Sequence, residues 1–311
     1  MDLRGIRIAV LGGDQREAIL ISKLTELGAE VRASGLPREM LPEKVAAVSS
    51  AEEAVENVQA VILPLPGTGP DGLVYSAFSS HPLYFTEEAA KKLHPKTLVI
   101  IGKARPFLRE WSRQHQFTLL EIADVDELAI LNSVPSAEGA IQIAMQETPI
   151  TIHSSQSWVL GFGRLGKTLA RMLKALGAHT TVCARKPADL ARIWEMGCRG
   201  LPFSELTKEI GTAEIIFNTV PALVLTEEVL QRCQREALIV DLASAPGGTD
   251  FAAAKRLGIK AVLAPGLPGK VAPKTAGKIL AAVVPSLIYE HLQQPKEKPA
   301  PIEKVQEYEK P

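Results

Sequence analysis

Ser157-Trp158-Val159-Leu160-Gly161-Phe162-Gly163-Arg164-Leu165-Gly166 decides the fold of this 311-residue chain. A short apolar run leads into three glycines, after which Leu165, Leu169, Met172, Leu173 and Leu176 recur on one helical face up to Gly177. That is a strand, a glycine turn and an amphipathic helix. A lone G-x-G-x-x-G is weak, but one that ends a strand and opens a helix inside a βαβ unit points to a dinucleotide. Gly161 permits the tight turn and Gly163 lets the backbone approach a pyrophosphate. Gly166 lets the helix pack on the strand while its N-terminus faces the anion. A purely structural glycine turn is the alternative.

The same grammar opens the chain. The apolar run 6–11 ends in Gly12-Gly13, and a helical pattern follows to Gly28. In both units sixteen positions separate the first glycine from the last, and both helices close on Leu-Gly-Ala. Shared ancestry and the ordinary length of helices explain this equally well. Further apolar runs at 60–64, 97–102 and 118–121 read as strands of a first parallel sheet, and 158–161, 180–183, 215–218, 237–241 and 260–263 as a second. Ser136 reads as the cap of a connecting helix, with Glu138 where the dipole favours negative charge.

The expected class is α/β, two Rossmann-like parallel-sheet domains with a cofactor cleft between them. A flavodoxin-like catalytic and substrate domain covers 1–135, a connecting helix 136–150 and a dinucleotide-binding domain 151–273. A C-terminal helix over 274–292 crosses back to complete the first domain. Residues 293–311 hold four prolines among Lys and Glu, with too little apolar content to order them, so a disordered tail is expected.

Composition narrows the function. Thirty-five basic residues balance 35 acidic ones, which leaves no excess charge to hold nucleic acid or an anionic membrane. No apolar stretch is long enough to span a bilayer, and the first residues do not form a basic, apolar leader, so a cytoplasmic location is expected. Three cysteines without a Cys-x-x-Cys pair exclude a disulfide framework and give no reason to expect a structural metal.

About twenty residues beyond the glycines, NAD enzymes place a carboxylate on the ribose 2′-OH. Here Ala184-Arg185-Lys186 stands instead, and two cations suit a 2′-phosphate, so NADP(H) is the expected cofactor. A solvated basic turn is the other reading. Asn218-Thr219-Val220-Pro221 and Asp241-Leu242-Ala243-Ser244 follow strands at the carboxyl edge and are expected to border the nicotinamide. Cofactor contacts are therefore assigned to Gly161, Phe162, Gly163, Arg164, Leu165, Gly166, Ala184 to Lys186, Asn218 to Pro221, Leu242 and Ala243. Gly12-Gly13-Asp14-Gln15-Arg16 lacks a third glycine and is not expected to hold a second cofactor. Arg16 is a candidate clamp for a substrate carboxylate, with a surface arginine as the equal alternative.

These stretches, together with Asn132-Ser133-Val134-Pro135-Ser136-Ala137-Glu138-Gly139, Asp241 to Phe251, Ala264-Pro265-Gly266-Leu267-Pro268-Gly269 and Ala272-Pro273-Lys274-Thr275-Ala276-Gly277, resemble the dipicolinate synthase A-subunit family over about residues 5–292. The resemblance implies a D-2-hydroxyacid-dehydrogenase-like architecture with two crossing helices. It also implies oxidation of a dihydro- or hydroxytetrahydro-dipicolinate to pyridine-2,6-dicarboxylate, with hydride passing to NADP+. The setting it implies is the mother cell of a sporulating bacterium, with the flavoprotein-like dipicolinate synthase B-subunit for partner; a homo-oligomer is expected as well.

A dicarboxylate needs cations and N–H or O–H donors, for which Arg16, Ser133, Ser136, Lys274 and Thr275 are the candidates, and Asp14, next to Arg16 in the glycine turn, is counted with them as a substrate-site residue. Glu138, Asp241 and Ser244 are the catalytic candidates. Glu138 or Asp241 would take the proton, unless the first merely meets the helix dipole and the second merely ends a strand. A D-2-hydroxyacid dehydrogenase is the enzymatic rival, although no histidine stands near Pro265. A non-catalytic NADP-binding component of a heteromeric complex is the rival of another class.

Overall fold

The computed structural model describes residues 1–293. Strands of two to six residues, most of them apolar runs and each followed by a crossover, build two parallel sheets. The first holds β1 (Arg7–Leu11), β2 (Glu30–Ser34), β3 (Ala46–Ala47), β4 (Ala60–Ile62), β5 (Leu98–Ile101) and β6 (Thr118–Glu121), in the order β3-β2-β1-β4-β5-β6. The second holds β7 (Gln156–Leu160), β8 (His179–Ala184), β9 (Arg199–Pro202), β10 (Ile215–Asn218), β11 (Leu238–Asp241) and β12 (Lys260–Leu263), in the order β12-β11-β10-β7-β8-β9. In register, Val10 lies between Ala33 and Ile62, and Phe217 between Val159 and Val240. The chain order therefore reverses between β1 and β4 and between β7 and β10, where open α/β sheets bind ligands.

The helices are α1 (Gln15–Glu26), α2 (Ala51–Ala54), α3 (Glu87–Lys91), α4 (Pro106–His115), α5 (Asp126–Glu147), α6 (Arg164–Ala175), α7 (Pro187–Glu195), α8 (Leu206–Glu209), α9 (Glu227–Leu230), α10 (Phe251–Leu257), α11 (Leu267–Val271) and α12 (Pro273–Gln293). Two of them exchange partners. Leu280, Val283, Val284 and Ile288 of α12 pack with Leu20, Ile21 and Leu24 of α1 on the first sheet. Ala137, Ala140, Ile141 and Ala144 of α5 pack with Leu169 and Leu173 of α6 on the second. Each fully buried Leu or Ile contributes about 1.5–3 kcal/mol, so the crossing holds the two halves together. Gly277 makes it close, since a Cβ there would come within 2.7 Å of Ile19 Cδ1.

The structure departs from the sequence reading in places. β2, β3 and β9 were not expected: β2 interleaves charge with apolar residues, β3 has two residues, and β9 ends on a proline at the sheet edge. The connecting helix starts at Asp126, ten residues before Ser136. Pro135 lies inside it, and the hydroxyls of Ser133 and Ser136 donate back to the carbonyls of Ile130 and Asn132 instead of capping a terminus. The C-terminal helix runs from Pro273 through Gln293, and the tail expected beyond it lies outside the described residues. Among the described residues, no helix is long and apolar enough to cross a membrane.

Candidate functional site

At the reversal of the second sheet a cleft of about 1040 Å³ opens over the carboxyl ends of β7, β8 and β10. Gly161 leaves β7 at φ 99°, in the region that favours glycine. A Cβ on it would meet Thr219 Oγ1 at 2.6 Å, while one on Gly166 would run into the Gly161 carbonyl oxygen. Protein packing alone thus accounts for those two glycines. Gly163 differs: a Cβ there would meet no heavy atom within 4 Å. It caps α6 without a side-chain acceptor, and the first turn carries no acidic residue. Unsatisfied N–H groups at a helix start, facing a cleft across a bare Cα, form an anion seat of the kind a pyrophosphate fills.

Thr219 stiffens the opposite wall, its Oγ1 donating to the Leu160 carbonyl at 2.8 Å. Phe162, Leu165, Val220 and Pro221 add apolar surface. The Lys167 ammonium lies 5.3 Å from the centre of the Phe162 ring. Arg164 lines the cleft as well, with its Nη1 paired to Asp126 at 2.9 Å, which fixes the start of α5 against that of α6. Beyond β8, Ala184, Arg185 and Lys186 line the far end, and both cations are exposed and without an ion pair among the described residues. Asp189 stands near them in the first turn of α7.

Several expected site residues are placed elsewhere. Asp241 is fully buried, and its carboxylate accepts from Asn218 Nδ2, the Ala243 and Gly248 N–H groups and Thr249 Oγ1 at 2.6–3.0 Å. These four bonds make it the organiser of the loop after β11 and turn its carboxylate away from the cleft lining. Asn218, also fully buried, bonds Asp241 and both polar backbone groups of Val220. Asn218, Leu242 and Ala243 therefore stand behind the cleft wall rather than on it, whereas Ser244 is exposed on it.

Glu138 is two positions past Ser136, about 200° around the helix, and lines a surface groove with Met145, Arg171 and Leu176. Ser133 is buried, and its hydroxyl lies 2.6 Å from both the Ile130 carbonyl and Thr168 Oγ1. Both Ser133 and Ser136 line the cleft.

On the first sheet, Asp14 and Arg16 engage each other. Arg16 is 5% exposed and donates through Nε and Nη2 to the two Asp14 oxygens at 2.9 and 2.8 Å. Arg16 is thus no free clamp, because its fork already holds a carboxylate. Lys274 and Thr275 are exposed in the first turn of α12 and do not line the cleft.

The sequence reading missed Asn132, Asp189 and Phe203, all in the cleft wall. Asn132 Oδ1 is buried with no hydrogen-bond partner among the described residues. Starting α5 at its true beginning would have exposed the signal, since Asn132 shares a helix face with Ala129 and Ser136. Phe203 follows the unforeseen β9.

Residues 7–123 match the N-terminal domain of the dipicolinate synthase A-subunit, and 136–247 match the D-isomer specific 2-hydroxyacid dehydrogenase NAD binding domain. A nicotinamide dinucleotide is therefore the cofactor class, in a dehydrogenase-like oxidoreductase. The dipicolinate synthase A-subunit of Bacillus subtilis (strain 168) is 40% identical over 289 residues, which covers 93% of this chain and 97% of the relative. The crystal structure of the A-subunit from Bacillus halodurans superposes with a TM-score of 0.90 at 40% identity, covering 93% of this chain and 99% of that one. The structure from Bacillus subtilis gives 0.88 at 40% identity, covering 94% and 98%. With a curated relative so alike along almost its whole length, the chain belongs to the dipicolinate synthase A-subunit family.

Proposed function

We infer that this chain oxidises a dihydro- or hydroxytetrahydro-dipicolinate to pyridine-2,6-dicarboxylate, passing hydride to NADP+. The dihydro substrate loses one hydride and one proton, and the hydroxylated form loses water as well. One observation carries the cofactor half: the bare Gly163 at the uncapped start of α6, with Arg185 and Lys186 at the cleft's far end. These residues fit the group. The helix start takes the diphosphate, and the guanidinium of Arg185 with the Lys186 ammonium takes a 2′-phosphate, since Ala184 fills the strand end where a carboxylate would select a free 2′-OH. The cofactor, when bound, accepts the hydride.

The chain's own residues supply orientation. Ser244, Ser136 and the Asn132 carboxamide border the cleft and can hydrogen-bond the nicotinamide or the substrate ring. Asp189 is the one carboxylate lining the cleft among the described residues, and it stands at the Arg185 end. A ring that gains aromaticity on losing hydride releases its proton readily, so a buried general base is not required of this wall. A flavoprotein-like B-subunit, self-association and a place in the mother cell of a sporulating bacterium belong to the same reading, supported by the family.

The test is to supply purified chain with NADP+ and the lysine-pathway dihydrodipicolinate and to follow NADPH and dipicolinate together. Equal amounts of both are expected. NADPH binding without either product would instead make this a cofactor-holding component of a larger enzyme.

A further inference from the structure

Between β4 and α3, residues 63–86 form neither helix nor strand. A stretch that long inside a compact α/β unit usually carries function. It leaves the first sheet at the reversal between β1 and β4 and is bonded to the β1 turn: Gly13 donates to the Tyr75 carbonyl at 2.7 Å, and the Ala77 N–H to that of Gly13 at 2.9 Å. Under it lies a cavity of about 560 Å³, distinct from the dinucleotide cleft and bordered by Thr68, Tyr75, Ser79, His81 and Arg105. Among the described residues no Asp or Glu lines it.

Arg105 precedes α4, a ten-residue helix whose start has no side-chain cap. Its Nε donates to the Thr68 carbonyl at 3.1 Å, which pins the guanidinium to the cavity wall. Both terminal nitrogens have no hydrogen bond or ion pair among the described residues. Arg109, one turn on, is the contrast, since Glu121 accepts from its Nε and Nη2, both at 2.8 Å. Thr68 is 5% exposed, and its Oγ1 has no hydrogen-bond partner among the described residues. A buried hydroxyl without a partner is costly, and a ligand can relieve that cost.

We propose that this cavity is a carboxylate-binding site, in which the Arg105 fork grips both oxygens of a small organic acid and Thr68 Oγ1 donates to one of them. A planar fork beside a hydroxyl recognises a carboxylate, and among the described residues no acidic side chain lines the cavity to compete. The assignment of the acid rests on the function proposed above, for which it supplies the cation that Arg16, tied to Asp14, does not. The acid is then the substrate, held through one of its two carboxylates on the first sheet.

The test is calorimetric titration of pyridine-2,6-dicarboxylate, and separately of NADPH, into the full chain and into Arg105→Gln, Arg105→Lys and Thr68→Val. Dipicolinate affinity is expected to fall tenfold or more in Arg105→Gln, to recover partly in Arg105→Lys and to fall severalfold in Thr68→Val, with NADPH affinity unchanged throughout. Unaltered dipicolinate affinity in Arg105→Gln overturns the site. So does an absence of dipicolinate binding to a wild-type chain that binds NADPH. Arg105-dependent dipicolinate binding in a chain that ignores NADPH would leave the site standing and remove the cofactor reading instead.

Discussion

The two glycine turns of this chain have the same grammar and opposite outcomes. After β7, the start of α6 has no side-chain acceptor and Gly163 looks onto open space. After β1, the corresponding space is filled from within: Glu17 accepts from the Asp14 N–H at 2.8 Å, and a Cβ on Gly13 would run into the Glu17 side chain. Asp14 caps α1 and also grips Arg16. One helix start satisfies its N–H groups with its own carboxylates, and the other leaves them for a ligand's anion. A strand, a glycine turn and a helix therefore do not by themselves make a nucleotide site; the residues just beyond the second glycine decide it.

If that contrast is right, substitutions at the closed turn cost stability and those at the open turn cost binding. Asp14→Ala is expected to have the largest effect, because it removes a cap and strands the buried Arg16 cation. Stability should fall by about 3–5 kcal/mol in urea unfolding while NADPH affinity in the folded fraction is unchanged. Asp241→Ala leaves four donors without their acceptor, for an expected loss of about 2–4 kcal/mol. A proton acceptor would instead lose turnover with its unfolding midpoint intact. Arg185→Asp should lower the preference for NADPH over NADH roughly tenfold, about 1.4 kcal/mol, with no change in the unfolding midpoint.

The smallest effect is expected at Glu17. Burial pushes its carboxyl above the ordinary value, against the opposing pull of Arg16. A carboxyl with a raised folded value holds its proton more tightly when folded, so its contribution is greatest in acid and is lost as pH rises through that raised value. Glu17→Gln keeps a neutral acceptor for the Asp14 N–H, so the variant should gain on wild type between mildly acid and mildly alkaline urea titrations. A constant difference would contradict the sign.

Periodicity made the aliphatic strands and the open turn legible, because buried parallel strands are unbroken apolar runs and a glycine fingerprint has fixed spacing. β2 and β9 were not, since charge interrupts one and proline the other. Ser136 and Glu138 imitated a helix start that lies at Asp126, and this displaced the cleft wall by more than two turns and hid Asn132. The roles of Asp241 and Arg16 depended on partners. Sequence shows an acid at a strand end and an arginine after glycines; only packing shows that each already holds a partner.

The most direct test is calorimetric titration of NADPH into wild type and Gly163→Ala. The added methyl meets no heavy atom of the described residues within 4 Å, so the unfolding midpoint should be unchanged while affinity falls tenfold or more, about 1.4 kcal/mol. Equal affinity in the two proteins, or no binding to wild type, would contradict a dinucleotide seated on the second glycine turn.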